Sequence, residues 1–409
     1  MAFLVKKFGG SSVATAEKIQ AVAERIIRTK EEQDRVVVVV SAMGDTTDEL
    51  ISLAQKVCGA PYSHSRELDQ LLTTGEQVSI SLLAMALRSK GCPAISLTGP
   101  QAGIETTAVP LKGKIRRIEP TRVLAELDKG KVVVVAGFQG VADTGDITTL
   151  GRGGSDTSAV ALAGSLQADV CEILTDVDGV YSADPRIVTS AKKMKEITYN
   201  EMLEMARLGA VVMQPRAVEM GKNYGIPIHV RSTFTEITGT IIREAYTMEE
   251  KECAVRGVTH DTHVAKVAVL GVPDQPGIAH LIFSALAQAN IDVDMIVQSV
   301  RANEKGIIDM VFTIGEDDAE QTRTLMGELA LAQNFAGVEI DEAVAKVSIV
   351  GAGMYGSPGV AAKMFGALGN LGINLEVIST SEISISCLIR EDRTKEAVNA
   401  VHALFFPDK

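Results

Sequence analysis

Lys7 is followed directly by Phe8, Gly9, Gly10, Ser11 and Ser12, and this run closes the first apolar stretch of the chain. Two glycines let a backbone come close to a phosphate, and the free amides at a helix start bind anions. Lys7 adds a point charge. The run is equally compatible with a plain strand-to-helix turn. A second run, Gly151-Arg152-Gly153-Gly154-Ser155-Asp156-Thr157-Ser158, opens an alanine-rich helix. Helix capping accounts for Ser155 or Asp156. It does not account for Arg152 among three glycines, so the run reads as a cradle for phosphate or carboxylate. A third run, from Thr175 and Asp176 through Val180 and Tyr181 to Asp184, Pro185 and Arg186, is a polar Asp-Gly loop or the wall of a nucleotide pocket. It lacks the spacing and closing Glu of a calcium loop.

The elements that must hold these runs are short apolar strands alternating with helices. Strands are expected at Phe3–Phe8, Val36–Ser41, Ala94–Thr98, Lys131–Gly137, Val170–Thr175 and Ile228–Val230. Helices are expected at Ala14–Glu31, Gly75–Lys90, Pro120–Lys129, Ser155–Gln167 and Thr198–Leu208. Strands apolar at every position imply an α/β fold with a mostly parallel sheet covered on both faces. Ligands of such sheets bind beyond the strands' carboxyl ends. Each of the three runs is expected to follow one of these strands.

The composition narrows the function. With 40 basic and 52 acidic residues the net charge is -12, which argues against a nucleic-acid or anionic-membrane surface. No P-loop motif occurs. A G-x-G-x-x-G does occur at Gly351, Gly353 and Gly356, but it falls inside a repeat whose partner copy lacks it, and it is read as a loop of that repeat. The five scattered cysteines read as reduced thiols. His260 and His263 read as surface residues, and no protein metal site is assigned. No secretory signal or membrane span is read, so the expected location is the cytoplasm.

The repeat begins after a charged linker, Thr247–Glu252. Val264–Val269 matches Val344–Ile349, Pro276-Gly277 matches Pro358-Gly359, and Ile291–Ile296 matches Ile373–Ile378. Each copy reads as a small βαββαβ, ferredoxin-like module. Val255–Thr259 is an extra strand that could complete one of them. The expected domains are therefore 1–245, a linker with an extra strand at 246–263, and modules at 264–340 and 341–409.

Taken together, the motifs resemble the aspartate kinases of the amino-acid kinase family over almost the whole chain. The residues that carry the likeness are Lys7–Ser11, Val40–Gly44 with Thr46 and Thr47, Thr74-Gly75-Glu76, Gly137–Gly140, Thr148–Asp156 and Thr175–Arg186. The repeat resembles paired ACT regulatory modules. The resemblance implies a three-layer αβα sandwich around an eight-stranded sheet. It implies transfer of the γ-phosphoryl of ATP, with Mg2+, to the β-carboxylate of L-aspartate, opening lysine, threonine and methionine biosynthesis. In that reading Lys7 contacts the transferring phosphoryl, and the backbone from Phe8 to Ser11 cradles phosphates. Glu76 pairs with the substrate ammonium, and Arg152 with its α-carboxylate. Ser41, Thr47 and Ser155 help hold the substrate, and Asp156 orders the centre. Thr175, Asp176, Val180, Tyr181, Asp184, Pro185 and Arg186 hold the nucleotide. Many relatives have a lysine near Leu208–Met213 where this chain has Val211, and Val211 is given no nucleotide contact.

The family binds lysine or threonine between ACT modules of two chains. The matching positions are Asp274, Gly277, Ile278, Ala279, Asp292, Asp294 and Gln298 in the first module. In the second they are Gly359, Val360, Asn374, Leu375, Ser381 and Glu382. Such pairing implies a homodimer or larger assembly, and Met248 offers an internal start for a separate regulatory subunit. Two other readings compete. One keeps the fold with a different acceptor: glutamate, acetylglutamate or a nucleotide monophosphate. The other is an amino-acid sensor without turnover.

Overall fold

The computed structural model describes residues 3–33, 35–244, 254–299, 306–354 and 356–407. The charged linker, Met248 and Cys253 lie outside them. The chain divides into two compact units. The first runs to Tyr181 and takes in Lys193–Arg207 and residues from 211. The second comprises Ser182–Lys192, Leu208–Ala210 and residues from 254.

The first unit is built on an eight-stranded sheet. Its order is Glu196–Thr198, Thr240–Arg243, Ile228–Ser232, Val170–Thr175, Phe3–Phe8, Arg35–Val40, Val132–Ala136 and Ala94–Leu97. The last six run parallel; Thr240–Arg243 opposes Ile228–Ser232, and Glu196–Thr198 runs with Thr240–Arg243. The valines at 36–40 and 132–135 are wholly buried, as strands covered on both faces must be. Helix Ala16–Glu32 covers one face with Ile19, Val22, Ala23 and Ile26. Thr15 caps it, accepting a hydrogen bond from the Lys18 amide at 3.3 Å. Helix Gly154–Ser165 is buried from Gly154 to Ala163 and packs on Phe3–Phe8; its small and apolar residues from Ala159 to Ala163 allow cover on every side.

A smaller sheet has the order Ile115–Ile118, Ile104–Thr106, Gln139–Ala142 and Ile147–Thr149, its last two strands lying between the strand Val132–Ala136 and the helix Gly154–Ser165 in sequence. The run at Gly151 therefore follows a strand of this small sheet, and not one of the expected strands. Strands of three or four residues carry too little periodic signal to be read beforehand.

The second unit holds one six-stranded sheet: Val293–Gln298, Ile307–Gly315, Gly257–Pro273, Gly337–Val350, Ser384–Arg390 and Val377–Thr380. Two long strands are shared between the repeats. Residues 264–270 of the first pair with 337–344 of the second, whereas 257–261 pair with 346–350. The expected extra strand thus completes the second module, continuing without a break into the first. Val255 and Val258 are buried there with Val347, Ile349, Met364 and Ile385. Ala183 and Val188 join the same cluster, which is why Ser182–Lys192 packs with this unit. His260 lies half-buried in the long strand, not at the surface. Gly351 and Gly356 flank a short turn, Ala352–Met354, that has Gly353 at its centre and follows the end of Gly337–Val350, as read from the repeat.

The repeat also has a reciprocal electrostatic signature. Lys346 Nζ lies 2.6 Å from Asp294 Oδ2, and Lys266 pairs with Glu376. Lys266 matches Lys346 in the repeat, and Asp294 matches Glu376. Each module's lysine therefore meets the other module's acid.

Candidate active site

Lys6 and Lys7 sit on one strand and face opposite ways, as strand geometry requires. Lys7 Nζ meets Asp156 Oδ1 at 2.6 Å, both side chains nearly buried. Asp156 stands in the first turn of the buried helix, where the helix dipole favours an anion. The glycine turn begins one residue past the strand. Gly9 donates its amide to Leu174 O at 3.2 Å, and Gly44 donates to Gly10 O at 3.1 Å. A Cβ on Gly10 would stand 2.9 Å from Ala42 O and 3.2 Å from Gly44 O, so only glycine lets these loops meet.

Glu76 lies in the first turn of helix Thr74–Ser89 and is 2% exposed. Ala42 donates its amide to Glu76 Oε1 at 3.1 Å, and Oε2 has no hydrogen-bond partner. Burial pushes its pKa up to about 7, against the lowering pull of its own amide and that of Ala42. A buried carboxylate with one oxygen unpartnered is costly alone and well suited to receive an ammonium.

The turn Gly137–Gly140 explains how the helix bearing Asp156 is set. A Cβ on Gly137 would stand 2.8 Å from Ser155 Cβ. Ser158 Oγ accepts the Phe138 amide at 3.1 Å, and the Leu150 amide donates to Phe138 O at 2.8 Å. Gln139 Nε2 donates to Thr73 O at 3.1 Å, at the start of the Glu76 helix. Arg216, not singled out from sequence, donates to Leu150 O at 2.6 Å and to Gly113 O at 3.0 Å, bracing the loop that carries Arg152.

Lys7, Gly9, Gly10 and Ser41 therefore stand at the carboxyl ends of the sheet's central strands, and Glu76, Ser155 and Asp156 in the first turns of two helices. Arg152 is exposed at the mouth of the helix, Thr47 half-buried in the first turn of Thr46–Cys58, Phe8 buried, and Ser11 exposed. Thr175 Oγ1 donates to Asp176 Oδ1 at 3.1 Å, and Tyr181 Oη to Asp178 Oδ1 at 2.8 Å. Val180 is buried, its amide donating to Thr240 Oγ1 at 2.8 Å. Asp184, Pro185 and Arg186 belong to the second unit, where Arg186 pairs with Asp184 at 2.7 Å. Val211 is 85% exposed.

On the face opposite Lys7, Lys6 Nζ meets Glu172 Oε2 at 2.7 Å and Arg231 Nη1 meets Glu172 Oε1 at 3.1 Å. Burial alone would raise the Glu172 pKa, but Lys6 and Arg231 outweigh it and hold it low. The signal for this network was legible: charged residues interrupt otherwise apolar strands.

In the second unit Gly277 and Gly359 precede the helices Ile278–Gln288 and Val360–Asn370 at equivalent places. Asp274, Ala279, Asp292, Asp294, Gln298, Asn374, Ser381 and Glu382 are exposed, while Val360 and Leu375 are half-buried. Ile278 is in the first module's core, so its side chain is committed to packing.

A sheet of this topology with a lysine, a glycine turn and a helix N-terminus at its carboxyl edge is an arrangement suited to holding phosphate. The model of the amino acid kinase family matches residues 2–232, and ACT domain models match residues 266–330 and 347–405. An aspartokinase of a Bacillus species is 50% identical over 405 residues, 99% of this chain and 97% of that one. Aspartokinase III of E. coli, in complex with aspartate and ADP in its R-state, is 25% identical with a TM-score of 0.84, covering 99% of this chain and 100% of that one. The same enzyme with lysine and aspartate, in its T-state, is 25% identical with a TM-score of 0.77, covering 99% of both chains. The chain belongs to the amino acid kinase family, among its aspartokinases.

Proposed function

We propose that this kinase transfers the γ-phosphoryl of ATP to the β-carboxylate of L-aspartate, giving 4-phospho-L-aspartate and ADP. An oxygen of the β-carboxylate attacks the γ-phosphorus, and the bond from that phosphorus to the β,γ-bridging oxygen breaks. The acceptor is already ionised near neutral pH, so no general base is required. The barrier lies in bringing two anions together, which is a task of positioning and charge neutralisation. Lys7 meets the transferring phosphoryl, and the glycine turn holds the phosphates through the Gly10 amide, the Gly9 amide being committed to Leu174 O, with Thr175, Asp176 and Tyr181 on the nucleotide. Glu76 takes the aspartate ammonium and Arg152 its α-carboxylate. Ser41, Thr47 and Ser155 support the substrate. Among the described residues no group of three or more candidate metal ligands occurs. Mg2+ would therefore be held chiefly by the phosphate oxygens and water, with Asp156 the nearby carboxylate. When bound, it neutralises charge on the β- and γ-oxygens.

The observation that carries this reading is Glu76, buried with Oε2 unpartnered beside the glycine turn. An amino-acid acceptor supplies the missing cation, and a nucleotide monophosphate does not. The complexes of E. coli aspartokinase III with aspartate and ADP, and with lysine, support the same assignment and a regulatory role for the ACT modules. Lysine, deepened by threonine, restrains the enzyme by binding the inactive state more tightly. The effector residues named from the sequence would receive it, in an assembly of at least two chains. Coupled ADP release across aspartate, glutamate, acetylglutamate and nucleotide monophosphates, with hydroxylamine trapping the acyl phosphate, tests the acceptor. Aspartate hydroxamate is expected; turnover with glutamate and none with aspartate would reverse the choice.

A further inference from the structure

The turn Gly9–Ser12 contains two glycines and has no side-chain cap of its own, so its shape must be imposed from outside. The brace comes from a segment the sequence motifs do not include. Thr233 follows the strand Ile228–Ser232. Its Oγ1 lies 2.7 Å from Ser12 Oγ, and Ser12 is fully buried. Its amide donates to Thr175 O at 2.8 Å. Its carbonyl accepts from Arg25 Nη1 at 2.6 Å, and the same nitrogen donates to Ser232 O at 3.0 Å. Arg25 is 7% exposed. A second brace runs alongside: Lys18 Nζ donates to Ser11 O at 2.9 Å and lies 5.3 Å from the ring centroid of Phe234.

We propose that Thr233, anchored by Arg25, is a positioning residue of the nucleotide site, fixing the glycine turn at a set distance from Thr175. The strand Val170–Thr175 lies between the strand bearing Lys7 and the strand Ile228–Ser232 that leads into Thr233, and Thr233 spans its end, touching Ser12 of the glycine turn with its hydroxyl and Thr175 with its amide. This assignment rests on the reading of both loops as nucleotide-holding. It places Thr233 in contact with the loops and not with the reacting atoms.

The test uses the full chain and steady-state kinetics with ATP and aspartate varied separately. Thr233→Val keeps the shape and removes the hydroxyl. KM for ATP should rise about three- to tenfold, the range of one lost hydrogen bond, while KM for aspartate stays within about twofold. Thr233→Ser should restore ATP binding. Ser12→Ala should reproduce the Val variant, and the double variant should be no worse than either single one. Should Thr233→Val not fold, Ser12→Ala carries the test. An unchanged KM for ATP, or an equal rise for both substrates, overturns the proposal. If the wild-type enzyme gives no ADP with aspartate, the reading of the acceptor falls and this one is still tested, because calorimetric ADP affinity must weaken in Thr233→Val and must recover in Thr233→Ser.

Discussion

Two buried side chains define the chemistry at the residue scale, and they are buried for different reasons. Lys7 is paired with Asp156 at 2.6 Å, so its ammonium is held in one place and not left flexible. Lys7→Ala should lower kcat by about 10²- to 10⁴-fold, the range for losing one transition-state charge contact, with KM for aspartate little changed. Unchanged ADP production would show that Lys7 is not that contact. Glu76 is raised to about 7 by burial, so in the free enzyme it gains a proton as pH falls through that value and loses its hold on an ammonium. kcat/KM for aspartate should fall below about pH 7 for this reason. The sign for stability is opposite. A carboxyl whose pKa is raised on folding favours the folded state below its unfolded value near 4.5, and that advantage is lost as pH rises through about 7. Glu76→Gln should therefore stabilise the fold at pH 8, by at most about 3 kcal/mol, and so raise Tm, while raising KM for aspartate more than tenfold. A lowered Tm at pH 8 would mean that the carboxylate is better satisfied than its surroundings imply.

Elements position these residues through backbone contacts that exclude side chains. Gly137→Ala would drive a methyl into Ser155 and shift the helix that carries Asp156. It should cost about 1–3 kcal/mol and depress kcat well beyond that loss of stability, which thermal melts beside kinetics would separate. The parallel strands, the chemical runs and the repeat were all legible, because valine runs, glycine clusters and matched hexapeptides are local signals. The small sheet was not, because strands as short as Ile104–Thr106 and Ile147–Thr149 lack periodicity. Nor was Thr233, whose partners Ser12 and Arg25 are more than 200 residues away. Such pairings arise from topology and leave no mark on spacing.

At the scale of the whole molecule, the part that carries the two ACT domains is one sheet built by interleaving two copies of a repeat. The strand Gly257–Asp261 completes the module that is later in sequence, so neither copy is a free-standing unit, and the reciprocal lysine–acid pairs join them again. Lys346 is nearly buried, whereas Asp294 is largely exposed, so Asp294 is open to a second cation from solvent while Lys346 is not. If an effector's ammonium competes with Lys346 for Asp294, Lys346→Met should lower the concentration of lysine for half-inhibition by about threefold or more. Inhibition curves with lysine, threonine and both together would read this, and a raised concentration would assign Lys346 to holding the effector instead.

The central claim is that one cleft of fixed charges and backbone amides lets two anions meet. A crystal structure of this enzyme with aspartate, ADP and Mg2+ tests it most directly. The account predicts the aspartate ammonium on Glu76 Oε2, its α-carboxylate on Arg152, and its β-carboxylate facing Lys7 and the turn at Gly9 and Gly10. Aspartate bound with its ammonium away from Glu76, or its β-carboxylate turned from Lys7, would contradict it.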